Sequence, residues 1–556
     1  MSTQPQSPPD AAALALQAVR DYHQRTKHRL TGYARSPGTL DWDAQPAPFR
    51  HFEGAAQFAM PRLAALQPGS VLHAALARPF AALETQAPLP LDLASLGALL
   101  QLSLGLTAWK SYGPDRWALR ANPSSGNLHP TEAYLLVAGI DGLVDGLYHY
   151  RPENHALELR ATHPPQAGGP RLAVLLTSVM WREAWKYGER AYRYCQHDVG
   201  HAIGTLRFAA ALLGWQLRLL PWADSDISSL LGLDRDDDRH AEREDPECVA
   251  LVTAGPTVDT ERLDVRALVA LARQGSWCGQ ANALSRSQVE WPIIDGVAAA
   301  TRRQESGIWN QDSGRVGNQV SESTMRNRGT VPQARQIILQ RRSAVAFDGR
   351  STLPAEAFFS MLRRLDACRP PWDAIEWPPQ VHLAIFVHRV EGIEPGIYAY
   401  LRGEVLDEWR AAMRPEFMWE KIPSVESFGS FKRGLFLLLP MDVKFAGMRV
   451  SCDQDIAGDG FFSLGMIARF EPALQERGEW FYRRLFWECG LIGQVLYLEA
   501  EAAGGRATGI GCFYDDAVHE VLGLEGRQWQ SLYHFSMGMP VEDTRLTSEP
   551  GYAEHF

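Results

Sequence analysis

The sequence predicts an α+β protein built from two tandem copies of one domain, packed together as an intramolecular pseudo-dimer. Three observations carry that prediction. At 556 residues the chain is too long for a single hydrophobic core. Short motifs then recur in the same order along it. Gly146-Leu-Tyr-His-Tyr150 returns as Gly396-Ile-Tyr-Ala-Tyr400, and Leu231-Gly-Leu233 returns as Leu522-Gly-Leu524. Tyr192-Arg193, Asp198 and Gly200 return as Tyr482-Arg483, Glu488 and Gly490 at a constant offset of 290, and helical Leu96–Leu100 matches Phe358–Leu362. Between the copies, residues 275–332 shift to Ser, Arg, Gln, Gly and Asn with weak periodicity, which reads as a linker anchored by Trp291 and Trp309.

Taken in order, residues 1–60 form an N-terminal arm. Ala11–Arg29 has helical composition, and Tyr33–Phe49 is rich in Pro, Gly and polar residues, so the arm is expected to wrap a domain surface. The first domain spans 61–274. Leu91–Gly105 carries apolar residues at helical spacing, with Asp92 or Ser95 available as the cap. Thr131–Gly139, Gly146–Tyr150 and Leu172–Thr177 read as strands. Trp181–Tyr194 leads into a long helix over Gln196–Leu213, and 215–233 closes the unit with a strand, a loop and a Leu-Gly-Leu helix end. The second domain spans 333–546, with Leu435–Met441 as a short buried strand and 547–556 as a tail.

Composition narrows the function classes. A hydrophobic fraction of 46% with 22% charged residues is that of an ordinary soluble globular protein, and the net charge of −10 argues against nucleic acid as partner. No apolar run approaches the roughly 18 residues a membrane span needs. Seven cysteines without a Cys-x-x-Cys pair suggest neither a disulfide framework nor a zinc site. His197 and His201 stand four apart like two ligands on a helix face but lack a third, so no metal is expected. The polar, Pro-rich start shows no signal pattern, and the expected location is the cytoplasm. Tryptophan pairs such as Trp181 with Trp185 suit a core or a site for a flat organic molecule.

Three segments look functional, and the halves divide them. Ala121–Tyr134 holds Pro123-Ser124-Ser125-Gly126-Asn127, a short polar turn bracketed by Pro123 and Pro130 that could hold the edge of a planar ligand. The equivalent region around Asp373 has nothing similar. Arg341-Arg342-Ser343 could grip a phosphate, yet its counterpart in the first half is Pro79-Phe80-Ala81. Gly509-Ile510-Gly511-Cys512 could let backbone N–H groups approach a ligand, and its counterpart Pro221-Trp-Ala-Asp224 has no glycine. One composite site between the halves accounts for this complementary loss.

These segments, in this order, resemble the nitroreductase-like FMN oxidoreductases. Pro-Ser-Ser-Gly-Asn-Leu-His-Pro-Thr-Glu-Ala-Tyr is similar to the SagB-type branch, which includes azoline dehydrogenases of thiazole and oxazole biosynthesis. The resemblance covers about residues 20–270 and 335–546. It implies one FMN shared between the halves, with Arg341, Arg342, Ser343 and Arg545 on the phosphate and ribityl chain. It implies that Pro123, Ser124, Ser125, Gly126 and Asn127 meet the ring and ribityl edge, and that the backbone of Gly509, Ile510, Gly511 and Cys512 faces flavin N5. Val345 departs from the family, where a second basic residue often follows the triplet. Lys186-Tyr187 resembles the Lys-Tyr pair of azoline dehydrogenases, where a lysine removes a proton as hydride leaves. The expected activity is FMN-dependent dehydrogenation or reduction of a small organic or peptide-derived substrate. The alternatives are an NAD(P)H-dependent nitro- or quinone-reductase and a flavin-binding partner module without turnover.

Overall fold

The computed structural model describes residues 11–164, 170–235, 242–255, 265–306, 332–366, 370–423 and 432–552. Its strands follow the apolar runs. The first half gives β1 (Gln57–Ala59), β2 (Leu106–Tyr112), β3 (Asp115–Arg120), β4 (Thr131–Ala138), β5 (Gly146–Arg151), β6 (Ala156–Thr162), β7 (Arg171–Ser178), β8 (Gln216–Leu220) and β9 (Asp245–Thr253). The second gives β10 (Val381–Val387), β11 (Gly396–Leu401), β12 (Glu420–Lys421), β13 (Gly434–Pro440), β14 (Phe462–Arg469), β15 (Arg506–Ile510), β16 (Trp529–Gly538) and β17 (Thr547–Pro550). The helices used below are α1 (Ala11–Arg25), α2 (Leu93–Ser103), α3 (Met180–Tyr187), α4 (Ala191–Leu212), α5 (Asp224–Leu231), α6 (Ala355–Arg364), α7 (Phe481–Ala502) and α8 (Asp515–Leu522). Asp92 caps α2 by accepting the Ser95 N–H at 2.8 Å.

Each half builds a seven-stranded antiparallel sheet, in the orders β1-β6-β5-β4-β7-β9-β8 and β12-β13-β11-β10-β14-β16-β15. Six of the seven strands follow the same order in both halves, which is the tandem duplication made visible; the edge strand comes from the N-terminal arm in the first half and from between β11 and β13 in the second. Alternation along the strands sorts side chains between two cores. Leu135, Val137, Leu383 and Ile385 face one continuous core that runs through both halves, whereas Leu136 and Ala384 face separate outer cores.

α4 and α7 lie at the centre of the shared core. Both are 22 residues long, and their first and last residues are related by the offset of 290 read from the sequence. They cross at Gly200 and Gly490. A Cβ on Gly490 would sit 2.3 Å from the His197 carbonyl oxygen, and one on Gly200 would sit 2.3 Å from that of Trp487. Only glycine permits this approach of backbones. Related positions pair around the crossing: Tyr192 stacks on Tyr482 with 6° between the rings. Arg193 binds Asp515 and Arg483 binds Asp224, both at 2.7 Å. Each half thus grips the first residue of the other's short helix, the self-complementary pattern of a two-fold interface. Burial alone would raise the Asp515 carboxyl, but the guanidiniums of Arg190 and Arg193 hold it far below the ordinary carboxylate range.

The arm and the tail differ from expectation, while the linker is ordered in part, as its buried Trp291 suggests. The arm ties both halves together rather than coating one: Arg20 in α1 pairs with Glu471, and Arg25 with Glu189. The described part of the 275–332 stretch is packed, since Gln280–Ala281 pairs with Phe52–Glu53 and the helix Pro292–Ala300 lies against α1. Trp309 and residues 1–10 lie outside the described residues. The expected tail becomes β17, which adds to β2 in a separate sheet ordered β17-β2-β3. Its four residues are all exposed, so main-chain hydrogen bonds rather than apolar burial recruit it.

The crossing makes a quantitative prediction. Gly490→Ala should cost at least about 2 kcal/mol, because the new methyl meets backbone that cannot move aside. Gly296→Ala, on a helix with open space around the position, should gain up to about 1 kcal/mol. Urea denaturation of both variants checks this; equal midpoints would contradict it.

Candidate functional site

The Pro123–Asn127 loop joins β3 to β4 and is held by its own side chains. Gly126 has φ 58° and Asn127 φ 59°, the left-handed conformation that Gly and Asn tolerate best. The Ser124 hydroxyl accepts the His129 N–H at 2.8 Å, and Asn127 Nδ2 donates to the Ala118 carbonyl at 2.9 Å. Ser125 donates both its N–H and its hydroxyl to Asp198 in α4, at 3.0 and 3.1 Å. Gly126 is exposed at the tip, and Ser124, Ser125 and Asn127 are half-buried.

Arg341–Ser343 reaches the base of this loop from the second half. The buried Arg341 guanidinium donates to the carbonyls of Arg120 and Ala121 and lies 5.0 Å over the Tyr497 ring. Arg342 donates to Thr107 in β2 at 3.1 Å. Ser343 shares a 2.8 Å hydrogen bond with the Tyr497 hydroxyl, which also accepts the Gly509 N–H at 3.0 Å. Tyr497 therefore links the triplet to the glycine segment. The expectation that Gly509 offers a free N–H to a ligand is corrected by this bond. The glycines have another cause: a Cβ on Gly509 would overlap the Tyr533 hydroxyl, and one on Gly511 would lie 2.3 Å from Tyr194 of the first half. The Gly511 carbonyl accepts from Tyr194 and Arg190, both in or beside α4, at 3.2 and 3.1 Å.

Positive charge accumulates around the triplet. Burial, and then Arg341 beside it, push Arg342 down to about 10. Burial and the guanidiniums of Arg342 and Arg506 also pull Lys110 down. Arg341, Arg342, Arg506 and Lys110 face the acids Glu501, Glu542 and Asp543. A phosphate would relieve the repulsion that remains, so the charge balance suits the anionic end of FMN, although Arg342 already donates to Thr107 and to the Leu339 and Arg341 carbonyls. Arg545 is not part of the cluster. It is exposed, forms a two-point ion pair with Asp543 and stacks on Tyr112 at the far end of β2.

Lys186 and Tyr187 close α3 directly beside the loop. A Cβ on Gly126 would meet the Tyr187 hydroxyl at 2.5 Å and Lys186 Nζ at 3.2 Å. Tyr187 in turn packs edge-on against Tyr194 at 4.6 Å. Trp181 and Trp185 turn elsewhere, donating to Ser285 and to the Asp41 carbonyl. Beneath the pair lie two acids that the sequence reading missed. Glu183 is fully buried, with neither carboxyl oxygen hydrogen-bonded, and burial and Asp198 raise it strongly. Burial raises Asp198 to about 7 despite the hydrogen bonds from Ser124 and Ser125. His197 stacks on Tyr533 at 4.0 Å.

The related position on the other side of the pseudo-two-fold axis is filled. Phe80, standing where Arg342 stands, is buried against Phe208 and Arg364. Arg207, related to Tyr497 by the 290 offset, is locked to Asp373 at 2.7 Å. Among the described residues the pieces come together once.

Known proteins place this arrangement. Residues 338–539 match the model of the nitroreductase family. A protein of Methanocaldococcus jannaschii assigned as a nitroreductase, MJ1384, is 27% identical over 137 residues, which are 22% of this chain and 66%, just under two thirds, of that relative. A solved structure from Anabaena variabilis, assigned as a nitroreductase, superposes with a TM-score of 0.66 at 21% identity, covering 94% of this chain and 99% of the other. A chain of the E. coli microcin synthetase McbBCD complex with truncated pro-MccB17 covers 44% of this chain at 20% identity, with a TM-score of 0.25 that carries no argument. The match to the nitroreductase family model is thus confined to residues 338–539, and the chain as a whole shares the fold of the Anabaena structure.

Proposed function

We propose that the chain is an FMN-dependent oxidoreductase with one composite site, passing hydride between flavin N5 and a small organic or peptide-derived substrate. The observation that carries this reading is that Arg341 of the second half bonds the Arg120 and Ala121 carbonyls at the base of the first half's Pro123–Asn127 loop, while Gly511 of the second half packs on Tyr194, whose ring lies against Tyr187 beside Gly126. Arg342, Lys110 and Arg506 would hold the phosphate, with Ser343 and Tyr497 beside the ribityl chain. The exposed Gly126 tip and the half-buried Gly511 and Cys512 would border the ring. When bound, FMN supplies a two-electron acceptor and donor.

The chain's own contribution is proton handling. Lys186 Nζ and the Tyr187 hydroxyl stand together over Gly126, where a substrate lying on the ring would be reached. Burial raises the Tyr187 phenol, with Glu183 adding to the shift, so the hydroxyl stays protonated and can donate. Lys186 would act as the base, and Glu183 with Asp198 would hold a proton beneath it. A lysine base favours dehydrogenation of an azoline-like ring over simple nitro- or quinone-reduction, which needs no base.

Two substitutions separate binding from chemistry. Arg342→Ala should weaken FMN binding about 10- to 100-fold by titration of the apoprotein, the loss of one charge-assisted contact; unchanged affinity would contradict the phosphate assignment. Lys186→Ala should retain FMN and slow flavin reduction by substrate about 10²- to 10⁴-fold in stopped flow. Flavin loss in that variant would make the lysine a ligand instead.

Asp198 predicts a pH signature in stability. Its folded value near 7 lies above the ordinary value of 3.8, so the unfolded chain releases this proton first as pH rises. Its contribution to stability is therefore lost between about pH 4 and 7, with a limiting slope of about 1.4 kcal/mol per pH unit. Glu247, also raised to about 7, and Glu183 add to the same slope, so Asp198→Asn should lessen it by about that amount in denaturation series from pH 4 to 8; a slope identical to that of the parent protein would contradict it.

A further inference from the structure

Cys452 and Cys512 bring their sulfurs to 3.1 Å, though they are 60 residues apart in sequence. Both thiols are half-buried and so reachable by a small molecule. The surrounding backbone holds them in place. Cys452 and Asp453 both have φ 56°, a conformation non-glycine residues adopt at a cost and one that recurs at functional sites. Two further bonds tie this turn to the Cys512 strand end. The Tyr514 N–H donates to the Val450 carbonyl at 3.0 Å, and Gln454 Nε2 donates to the Cys512 carbonyl at 2.9 Å.

The two sulfurs have different surroundings. His28 Nδ1 accepts the Ala34 N–H at 3.0 Å, which leaves Nε2–H as donor, and the imidazole favours the thiolate form of Cys512. The Cys452 thiol, His28 and Arg190 all favour the Cys512 thiolate, while Cys452 is held protonated. One attacking thiolate beside one protonated resolving thiol is the arrangement of a thiol–disulfide exchange site.

We propose that Cys452 and Cys512 are a redox-active dithiol that exchanges with small disulfides and closes to an intramolecular disulfide at the edge of the composite site. The Cys512 thiolate attacks one sulfur of a small disulfide, forming a mixed disulfide and releasing one thiolate. Cys452 loses its proton to solvent and attacks Cys512 Sγ, releasing the second thiolate. Two electrons pass from the protein sulfurs to the small disulfide, which becomes two thiols. Closure needs the sulfurs to approach by only about 1 Å. The site does not depend on flavin binding. Its closure would couple the 451–453 turn to Gly511 and Cys512 beside Tyr194.

The test uses the full chain, reduced and then exposed to oxidised glutathione, acid-quenched, alkylated with N-ethylmaleimide and mapped by mass spectrometry. The expected product is one cross-linked peptide pair containing Cys452 and Cys512, two hydrogen masses lighter than the dithiol and reopened by dithiothreitol. Cys278, also half-buried, serves as the single-thiol control. In Cys452→Ser the reaction should stop with one glutathione on Cys512. Full alkylation of both residues after oxidation would overturn the proposal, as would glutathione carried separately on Cys452 and Cys512 in the unmodified sequence.

Discussion

Contact between Gly200 and Gly490 is the constraint on which the rest depends. With no Cβ at either position, α4 and α7 touch through backbone, and the two sheets are carried to fixed places around them. The isologous pairs Arg193–Asp515 and Arg483–Asp224 then set the rotation of one half against the other. Such buried pairs add little net stability, but removing one partner leaves a charge with no water, at a cost of about 3–5 kcal/mol. They act as registration. A shift along the crossing would break both together.

That symmetric frame carries an asymmetric site. On one side Tyr497, Ser343 and Gly509 form a chain of hydrogen bonds leading to Arg341 and the loop base; on the other, Arg207 and Phe80 fill the related volume. Duplication within one chain frees each copy to specialise, because a substitution in one half no longer appears in both sites. Glu183 and Asp198 fit the same logic. A fully buried acid with no hydrogen bond costs stability unless it is neutral, and such acids gather where protons are handled.

The helices and the duplication were legible because their signals are periodic and long. The offset of 290 relates α4 to α7, although the helix read as Gln196–Leu213 begins at Ala191, and the aromatic content of Gly146–Tyr150 and its repeat at Gly396–Tyr400 marked strands. The segments proposed to form the site were legible singly, since the triplet, the loop and the glycine segment each appear in one half only. Its supporting residues were not. Tyr194, Tyr497, Glu183 and Lys110 carry no local motif, and only their packing brings them in. Comparing positions at the 290 offset would have flagged Tyr497 against Arg207. β17 escaped because an exposed polar strand recruited by main-chain bonds has no apolar pattern to read. The glycines were read correctly as places of close approach, but tyrosine rings from both halves are what approach them.

The central claim is a single site made from two halves, and counting bound flavin tests it most directly. The apoprotein titrated with FMN, with protein concentration fixed by amino-acid analysis, should saturate at one FMN per chain. Two per chain would mean that the volume filled by Phe80 and Arg207 opens to a second cofactor, and none would mean that the charge cluster around Arg342 serves another anion.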